Sequence, residues 1–455
     1  MEIFLDHVRS FSKPQYVPLR PLTLLVGENS SGKSTFLASI ACAFDQARFP
    51  ADPGFNEPPY NLGSFETIAT AAVGQRAASK TFSIGFRLTQ ADEFGSNESQ
   101  AIAKYESRSG QPRLEQFVFS TSKGKLEIDV SGTETVNGRI TLLQQNAPAR
   151  GPFDFSVKLE TTGTAGDEKP VSAHRILSAV YTALHDRERE WLDRDSAGTT
   201  EAATTPGAGD ILNFISRFHR GFIPVAFLCK SIGPIRSTPQ RTYDHSIPTS
   251  DPDGANIPQF LARLYASNSP NEAKESQRLR DSITTFGIES GMFQELAITH
   301  LGDGPGSPFQ IQIVMHGSST NLMDVGYGVG QVLPIVIDSE LKAQGNILLM
   351  QQPEVHLHPR AQAALGSLFA RLASTGDRAL VVETHSDYLL DRVRQAVANG
   401  VIAPDRVAIL FFDKPASETT VHLIELDELG NLVDPPQGYR DFFLEEELNL
   451  LRRGS

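Results

Sequence analysis

Cysteine is nearly missing from this chain, with Cys42 and Cys229 the two present among 455 residues. Two cysteines build no disulfide framework, so the fold has to be held by its core. Long apolar runs are missing as well, and nothing resembles a signal peptide, so no membrane partner and a cytoplasmic location are expected. Positive charge is in deficit, at a formal −13. That balance argues against a surface that clings to nucleic acid throughout, although a local basic groove is compatible with it. No stretch sustains the heptads of a long coiled-coil arm, and no internal repeat is found. What remains is ordinary globular material, 40 % apolar and 21 % charged, long enough for two or three units with a real core.

The most informative stretch lies near the start. "IFLDHVRSF" and "PLTLLVG" read as two short strands, and the second runs into "GENSSGKST", Gly27 to Thr35, followed by the helical "FLASIACAF". This is G-x-x-x-x-G-K-S in its strand-loop-helix context. Gly27 and Gly32 let the backbone curl, so that N–H groups through Asn29, Ser30 and Thr35 point at phosphate oxygens. The start of the helix adds a partial positive charge. Lys33 can reach the β- and γ-phosphates of a nucleotide, and the Ser34 hydroxyl can ligate Mg²⁺. ATP and Mg²⁺ are therefore the expected cofactors.

From about 63 to 159 the pattern changes to "KTFSIGFRL", "RLEQFVFS", "GKLEIDV", "RITLLQQ" and "FDFSVKLE". Period-two alternation between turn residues predicts an antiparallel, β-rich insert. Residues 173–194 read as a helix, and 195–210, poor in bulky apolar residues, as a mobile loop. A further helical region covers roughly 258–286. The last third returns to strand-helix alternation, which implies a largely parallel sheet covered on both faces and shared with the phosphate loop. The expected organisation is 1–50, the phosphate-loop part of the core; 51–165, the insert; 166–300, a helical subdomain; 301–410, a second lobe of the core; and 411–455, a tail.

One absence bears directly on chemistry. In "ILLMQQPEVHLHP", Ile347 to Pro359, a phosphate-handling strand is expected to end in carboxylates, and Gln351 and Gln352 stand there instead. An amide can hydrogen-bond a Mg²⁺-bound water but brings no charge and accepts no proton near neutral pH. Loss of general-base assistance typically slows a reaction ~10²–10⁴-fold. Glu354, two residues on, is the available substitute. "EVHLH" would put Glu354, His356 and His358 on one face of a strand, as a metal site would require, but no fourth ligand completes it, and a loop is the better reading. His385, in "ETHSD" at a strand end, is a candidate to sense the γ-phosphate. Arg236, in "GPIRSTPQR", can reach a phosphate or a partner carboxylate, or form a surface ion pair.

Taken in order, "GENSSGKST", "LGSFETI", "GPIRSTPQRTYD", "DVGYGVGQVLP", "QQPEVHLHP", "ETHSDYLL" and "GYRDFFLEEELNLL" resemble the ABC-type ATPases of the overcoming-lysogenisation-defect class and their relatives in bacterial anti-phage defence. Among these the chain looks most like stand-alone ATPase subunits such as that of the Septu system. The resemblance implies an α/β fold, an ABC-type ATPase head with a central mostly parallel sheet, an antiparallel insert and a helical subdomain. It makes "YGVGQ" the signature segment, whose Gly328, Gly330 and Gln331 would meet a nucleotide held by a second protomer. A homodimer with composite ATP sites, with room for higher assembly, would follow. The same segment also reads as an ordinary glycine turn before a core helix. Many relatives have Ser where Gly330 stands.

The resemblance further implies that Gln351 sits where a carboxylate holds the Mg²⁺ shell, Gln352 where a glutamate activates water, and His385 where a switch histidine reports the γ-phosphate. Glu354 is more often structural in that pattern. Larger relatives append a nuclease domain, whereas 401–455 reads as one hairpin and a closing helix. An effector in trans, a nuclease, is therefore implied, with nucleic acid met through that partner. The expectation is a slow or inactive ATPase that senses nucleotide and regulates the effector. A RecF-like DNA-repair ATPase is the alternative; a transporter motor fits the insert and "YGVGQ" less well.

Overall fold

The computed structural model describes residues 1–45, 48–71, 78–92, 95–131, 135–142, 153–158, 182, 229–246, 252–266, 270–304, 306–341, 347–376 and 378–439. The loop read over 195–210 and the closing helix after residue 440 lie outside them, as does all but residue 182 of the helix read over 173–194.

In chain order, β1 (Glu2–Asp6) and β2 (Gln15–Pro18) precede β3 (Leu22–Gly27), and the phosphate loop leads into helix α1 (Lys33–Ala43). A single turn, α2 (Phe65–Ile68), comes before six strands, β4 (Thr81–Asp92), β5 (Gly95–Arg108), β6 (Gln111–Thr121), β7 (Gly124–Ser131), β8 (Thr135–Leu142) and β9 (Phe153–Lys158). Then follow β10 (Cys229–Ile232), α3 (Ile257–Ala266), α4 (Pro270–Ser290), β11 (Glu295–His300), β12 (Phe309–Met315) and β13 (Ser318–Asn321). The last part holds α5 (Tyr327–Glu340), β14 (Ile347–Gln351), α6 (Pro359–Ser374), β15 (Ala379–Glu383), α7 (Asp387–Ala398), β16 (Val407–Asp413), β17 (Thr420–Leu426) and β18 (Leu432–Val433).

The chain divides into two compact units, one of Met1–Pro18, Thr35–Leu228 and Lys414–Thr419, the other of Leu19–Ser34, Cys229–Asp413 and Thr420–Ser455. In the first, an eight-stranded sheet runs β2-β1-β4-β5-β6-β7-β8-β9, antiparallel throughout. This is the expected insert, with one difference: the strand opening the chain pairs with β4 and belongs to this sheet. Leu114, Phe117 and Phe119 of β6 face inward, the alternation being broken once by a register shift between Leu114 and Gln116. Tyr105 is fully buried and donates its hydroxyl to the Pro50 carbonyl at 2.8 Å. That bond satisfies a polar tip that burial would otherwise penalise.

In the second unit a seven-stranded sheet runs β10-β14-β15-β3-β16-β17-β18. Its five strands from β10 to β16 are parallel, and β17 and β18 return antiparallel. The strand that carries the phosphate loop therefore sits mid-sheet beside the strands of the last third, as expected. "ILLMQ" of β14 is buried at every position, which is why it reads as a continuous apolar run: a parallel strand is covered on both faces. "FQIQIVM" departs from the expected alternation, since β12 pairs with β11 and β13 in a separate antiparallel sheet.

Local chemistry sets the helix ends. His358 caps α6 with Pro359 at its first turn, Ser386 Oγ caps α7 by accepting from the Leu389 N–H at 3.1 Å, and Gly400, with φ 70°, follows the Asn399 C-cap. Each satisfies groups that a helix terminus leaves without an internal partner. Helix α5 is buried from Val329 to Glu340, including the carboxylate of Asp338. Lys230 Nζ on β10 lies 2.7 Å from Asp338 Oδ1, with the two side chains 12 % and 2 % exposed. Burial still holds the Asp338 pKa above the ordinary carboxylate value, with Lys230 pulling it back. Removing one member of a buried pair leaves an uncompensated charge. Lys230→Ala is therefore expected to destabilise this unit by about 3 kcal/mol, read as a lower urea midpoint, and Lys230→Ala with Asp338→Ala should recover much of the loss.

Candidate functional site

Strands β14 and β15 end level with each other, and β3 runs two residues past that level into the phosphate loop. Gln351, last in β14, pairs with Glu383, last in β15, and Glu383 pairs with Leu25 of β3. Two residues beyond Leu25 the phosphate loop begins. Backbone bonds lock the edge further: Thr384 N–H donates to Leu25 O at 3.1 Å and Gln352 N–H to Glu383 O at 2.8 Å. In parallel sheets, this carboxyl edge is where ligands meet the fold.

The loop has the curl that the sequence requires. Gly27, Ser30 and Gly32 have φ of 138°, 62° and 109°. A Cβ at Gly27 would meet the Phe412 carbonyl oxygen of β16 at 2.5 Å, so the first glycine is fixed by close packing as well as by its dihedral. Glu28, Asn29 and Ser30 are exposed on the loop. Lys33 is 3 % exposed and donates to the carbonyls of Gly27 at 2.9 Å and Glu28 at 2.7 Å. Burial lowers its pKa, while Glu383 and Glu28 hold it up. Ser34 is exposed, and its Oγ lies 3.0 and 3.2 Å from the two Glu383 oxygens. Thr35 is buried in the other unit, where Oγ1 accepts from Arg9 Nη1 at 3.3 Å.

Glu383 is the residue that the motif reading passed over. Its signal in the sequence is the carboxylate that ends the strand in "VVETHS", one strand over from Gln351. Gln351 is 8 % exposed, and Gln352 turns the chain out of the strand with φ 44°. Ser34, Glu383 and Gln351 together offer hydroxyl, carboxylate and amide oxygens. Such hard oxygen donors suit Mg²⁺, which is typically held by one or two carboxylates together with substrate phosphates. No cluster of three or more His, Cys, Asp or Glu able to hold a metal occurs among the described residues, and residues 353–356 form a turn, so "EVHLH" is a loop.

Glu354 is 7 % exposed and accepts from the His385 N–H at 2.7 Å. Burial raises its pKa, opposed by that bond, by Thr384 and by Arg236. Through Oε1 the carboxylate thus clamps the loop after β15 to the loop after β14. Arg236 is 2 % exposed, which excludes the surface ion pair. Its Nη2 donates to the Gln351 and Gln352 carbonyls at 3.3 and 3.2 Å, and burial brings its pKa down to about 10. His385 keeps an exposed ring; burial and then the Lys33 ammonium push its pKa below the ordinary imidazole value.

The "YGVGQ" residues separate. Tyr327 is 47 % exposed at the start of α5 and meets the His356 ring edge-on at 5.1 Å. A Cβ at Gly328 would lie 2.8 Å from the His356 carbonyl oxygen. Gly330 is buried against Pro239, beside a cavity of about 320 Å³ that Thr238 and Gln259 also line. Gln331 is 1 % exposed, with Nε2 3.5 Å from the Arg236 and Ser237 carbonyls. Within the protomer, therefore, Gly330 and Gln331 serve the packing of α5, and the exposed residue of the segment is Tyr327, preceded by an exposed Gly326.

Residues 257–390 match the family model described as AAA ATPase domain. No curated protein matches. Among solved structures, the SMC head domain from Thermotoga maritima is 11 % identical with a TM-score of 0.42, covering 93 % of this chain and 98 % of that one. An SmcHead bound to the C-winged helix domain of ScpA is 11 % identical with a TM-score of 0.46, covering 94 % and 98 %. The Smc head domain from Pyrococcus furiosus, with an extended coiled coil and bound to the C-terminal domain of ScpA, is 9 % identical with a TM-score of 0.42, covering 99 % and 98 %. Sheet order and phosphate loop are those of an α/β P-loop fold, and the matched stretch is similar to an AAA ATPase domain. No helix among the described residues is long and apolar enough to cross a membrane.

Two outcomes follow. The His385 imidazole should titrate below its ordinary value of about 6.5, and Lys33→Ala should move it upward, as read from its ring proton shifts. Because its folded pKa is depressed, His385 favours the fold above the unfolded pKa, and that contribution is lost as pH falls through the folded one. Gly330→Ala places a Cβ 2.3 Å from Pro239 Cγ and should cost about 1–3 kcal/mol in unfolding free energy by overpacking.

Proposed function

We propose that this chain binds ATP with Mg²⁺ and works as a nucleotide-gated subunit that hydrolyses slowly. The observation that carries the reading is the shared edge of β14, β15 and β3, where Lys33 and Ser34 stand beside strand ends that carry an amide at both Gln351 and Gln352. Lys33 and the N–H groups of the loop would hold the phosphates, Ser34 and its oxygen neighbours would hold Mg²⁺, and the metal would neutralise phosphate charge. Gln352 can orient a water but takes no proton from it. The exposed His385 ring lies where loss of a phosphate changes its surroundings, and the bond from its N–H to Glu354 passes that change to the loop after β14. Occupancy is then the signal.

The finer reading is a cytoplasmic subunit of a bacterial anti-phage defence system, dimeric through composite ATP sites, that restrains or releases a separate effector, a nuclease. Its support is the ordered set of motifs together with the exposed Tyr327 and, at 82 % exposure, Ile235 beside the strand edge. Binding energy available only in the closed dimer would set the switch.

Tight Mg²⁺-ATP binding with negligible turnover is expected for the purified chain, loss of binding for Lys33→Ala, and a rise in turnover on the order of 10²-fold for Gln352→Glu. Robust turnover in the chain as it stands, equal to that of Gln352→Glu, would overturn the slow-hydrolysis reading. Sedimentation with and without ATP tests the dimer, and nucleotide-independent monomers would remove it.

A further inference from the structure

Glu383 stands in the sheet one strand closer to the phosphate loop than the position where a metal-holding carboxylate was sought. It is level with Gln351 on one side and with Leu25 of the loop strand on the other. Both of its oxygens lie within 3.2 Å of Ser34 Oγ, the hydroxyl suited to Mg²⁺. The residue is 5 % exposed. Among the described residues no cation lies within ion-pair distance of its carboxylate; the Lys33 ammonium, which feels its charge, bonds the loop carbonyls instead. A buried carboxylate whose one side-chain donor is a neutral hydroxyl is poorly compensated, since burying a charge is costly unless it is paired.

We propose that Glu383 supplies the Mg²⁺-shell carboxylate that Gln351 lacks, moved from the end of β14 to the end of β15. The substitution of strands is chemically coherent. With an amide at Gln351, the Glu383 carboxylate has no like-charged partner in the adjacent strand end, and one carboxylate beside Ser34 and the phosphates is a normal Mg²⁺ environment. The buried carboxylate, with no cation at ion-pair distance among the described residues, is then what a divalent cation satisfies. The same placement predicts that a second carboxylate at 351 is redundant in this chain but sufficient when Glu383 is gone. This inference rests on the nucleotide-binding reading above, and the test separates the two.

The test is titration of the full chain with ATP, once in EDTA and once in Mg²⁺, for the natural sequence, Lys33→Ala, Glu383→Gln and the pair Glu383→Gln with Gln351→Glu. Electron paramagnetic resonance of Mn²⁺ bound with a non-hydrolysable ATP analogue gives a readout independent of activity. Glu383→Gln keeps an oxygen facing Ser34, and its thermal midpoint reports whether it folds. Expected are a metal-dependent gain in affinity for the natural chain and a fall in that gain on the order of tenfold or more in Glu383→Gln. Metal-free ATP binding should not fall, since a carboxylate facing the phosphates is removed, and the gain should return in the double variant. A folded Glu383→Gln with the full metal-dependent gain and an unaltered Mn²⁺ spectrum would overturn the assignment, as would a natural chain with no such gain. Absence of ATP binding in the natural chain, indistinguishable from Lys33→Ala, would instead remove the nucleotide reading itself. Should Glu383→Gln fail to fold, the decision passes to Glu383→Asp, where an unchanged gain and spectrum overturn the assignment and a weakened, altered Mn²⁺ signal supports it.

Discussion

The parallel register of three strands governs everything else in the second unit. Because β14, β15 and β3 run in this register, Gln351, Glu383 and the loop after Gly27 meet along one edge, and a slip of one residue in any of them would turn their side chains to the other face. The carbonyls and N–H groups at that edge are spent on holding the register, with Gln352 bonded to Glu383 and Thr384 to Leu25. The side chains are thereby left for chemistry.

Within this frame the buried charges sort by task. Lys230 and Asp338 neutralise each other beneath β10 and α5. Glu354 and Arg236 hold the loops in place, one through the His385 N–H and the other through two carbonyls. Lys33 bonds carbonyls of its own loop, in positions from which phosphate can recruit it. Left-handed backbone at Ser30, Gln352 and His356 concentrates strain in the same loops, as is common where a ligand is to be clamped.

Much of this was legible in the sequence, for reasons that differ by element. The phosphate loop is local: strand, glycines, lysine and helix follow one another, so spacing alone placed Gly27, Lys33 and Ser34. The antiparallel insert announced itself by period two, and the central strands by unbroken apolar runs. Glu383 was not legible in that way, because its role depends on which strand lies beside β3, and strand order is a property of the fold rather than of the string. Gly330 and Gln331 show the converse. Their motif is local, yet whether a glycine approaches a ligand or a proline depends on residues 236–239, nearly a hundred positions earlier, which pack against α5. Arg236 turned from a surface candidate into a buried one for the same reason.

Pro334, inside α5, has a consequence for how motion passes through the second unit. Proline has no N–H, so the carbonyl four residues before it, that of Gly330, receives no helical bond. The first turn of α5 is thus attached to the rest of the helix more weakly than its burial suggests, while Gln331 sits close to the 236–237 backbone. A pull on that segment would bend α5 at its first turn and leave the remainder, anchored at Asp338, where it is. The exposed Tyr327 thus sits on the turn of the helix that its own hydrogen bonds hold least.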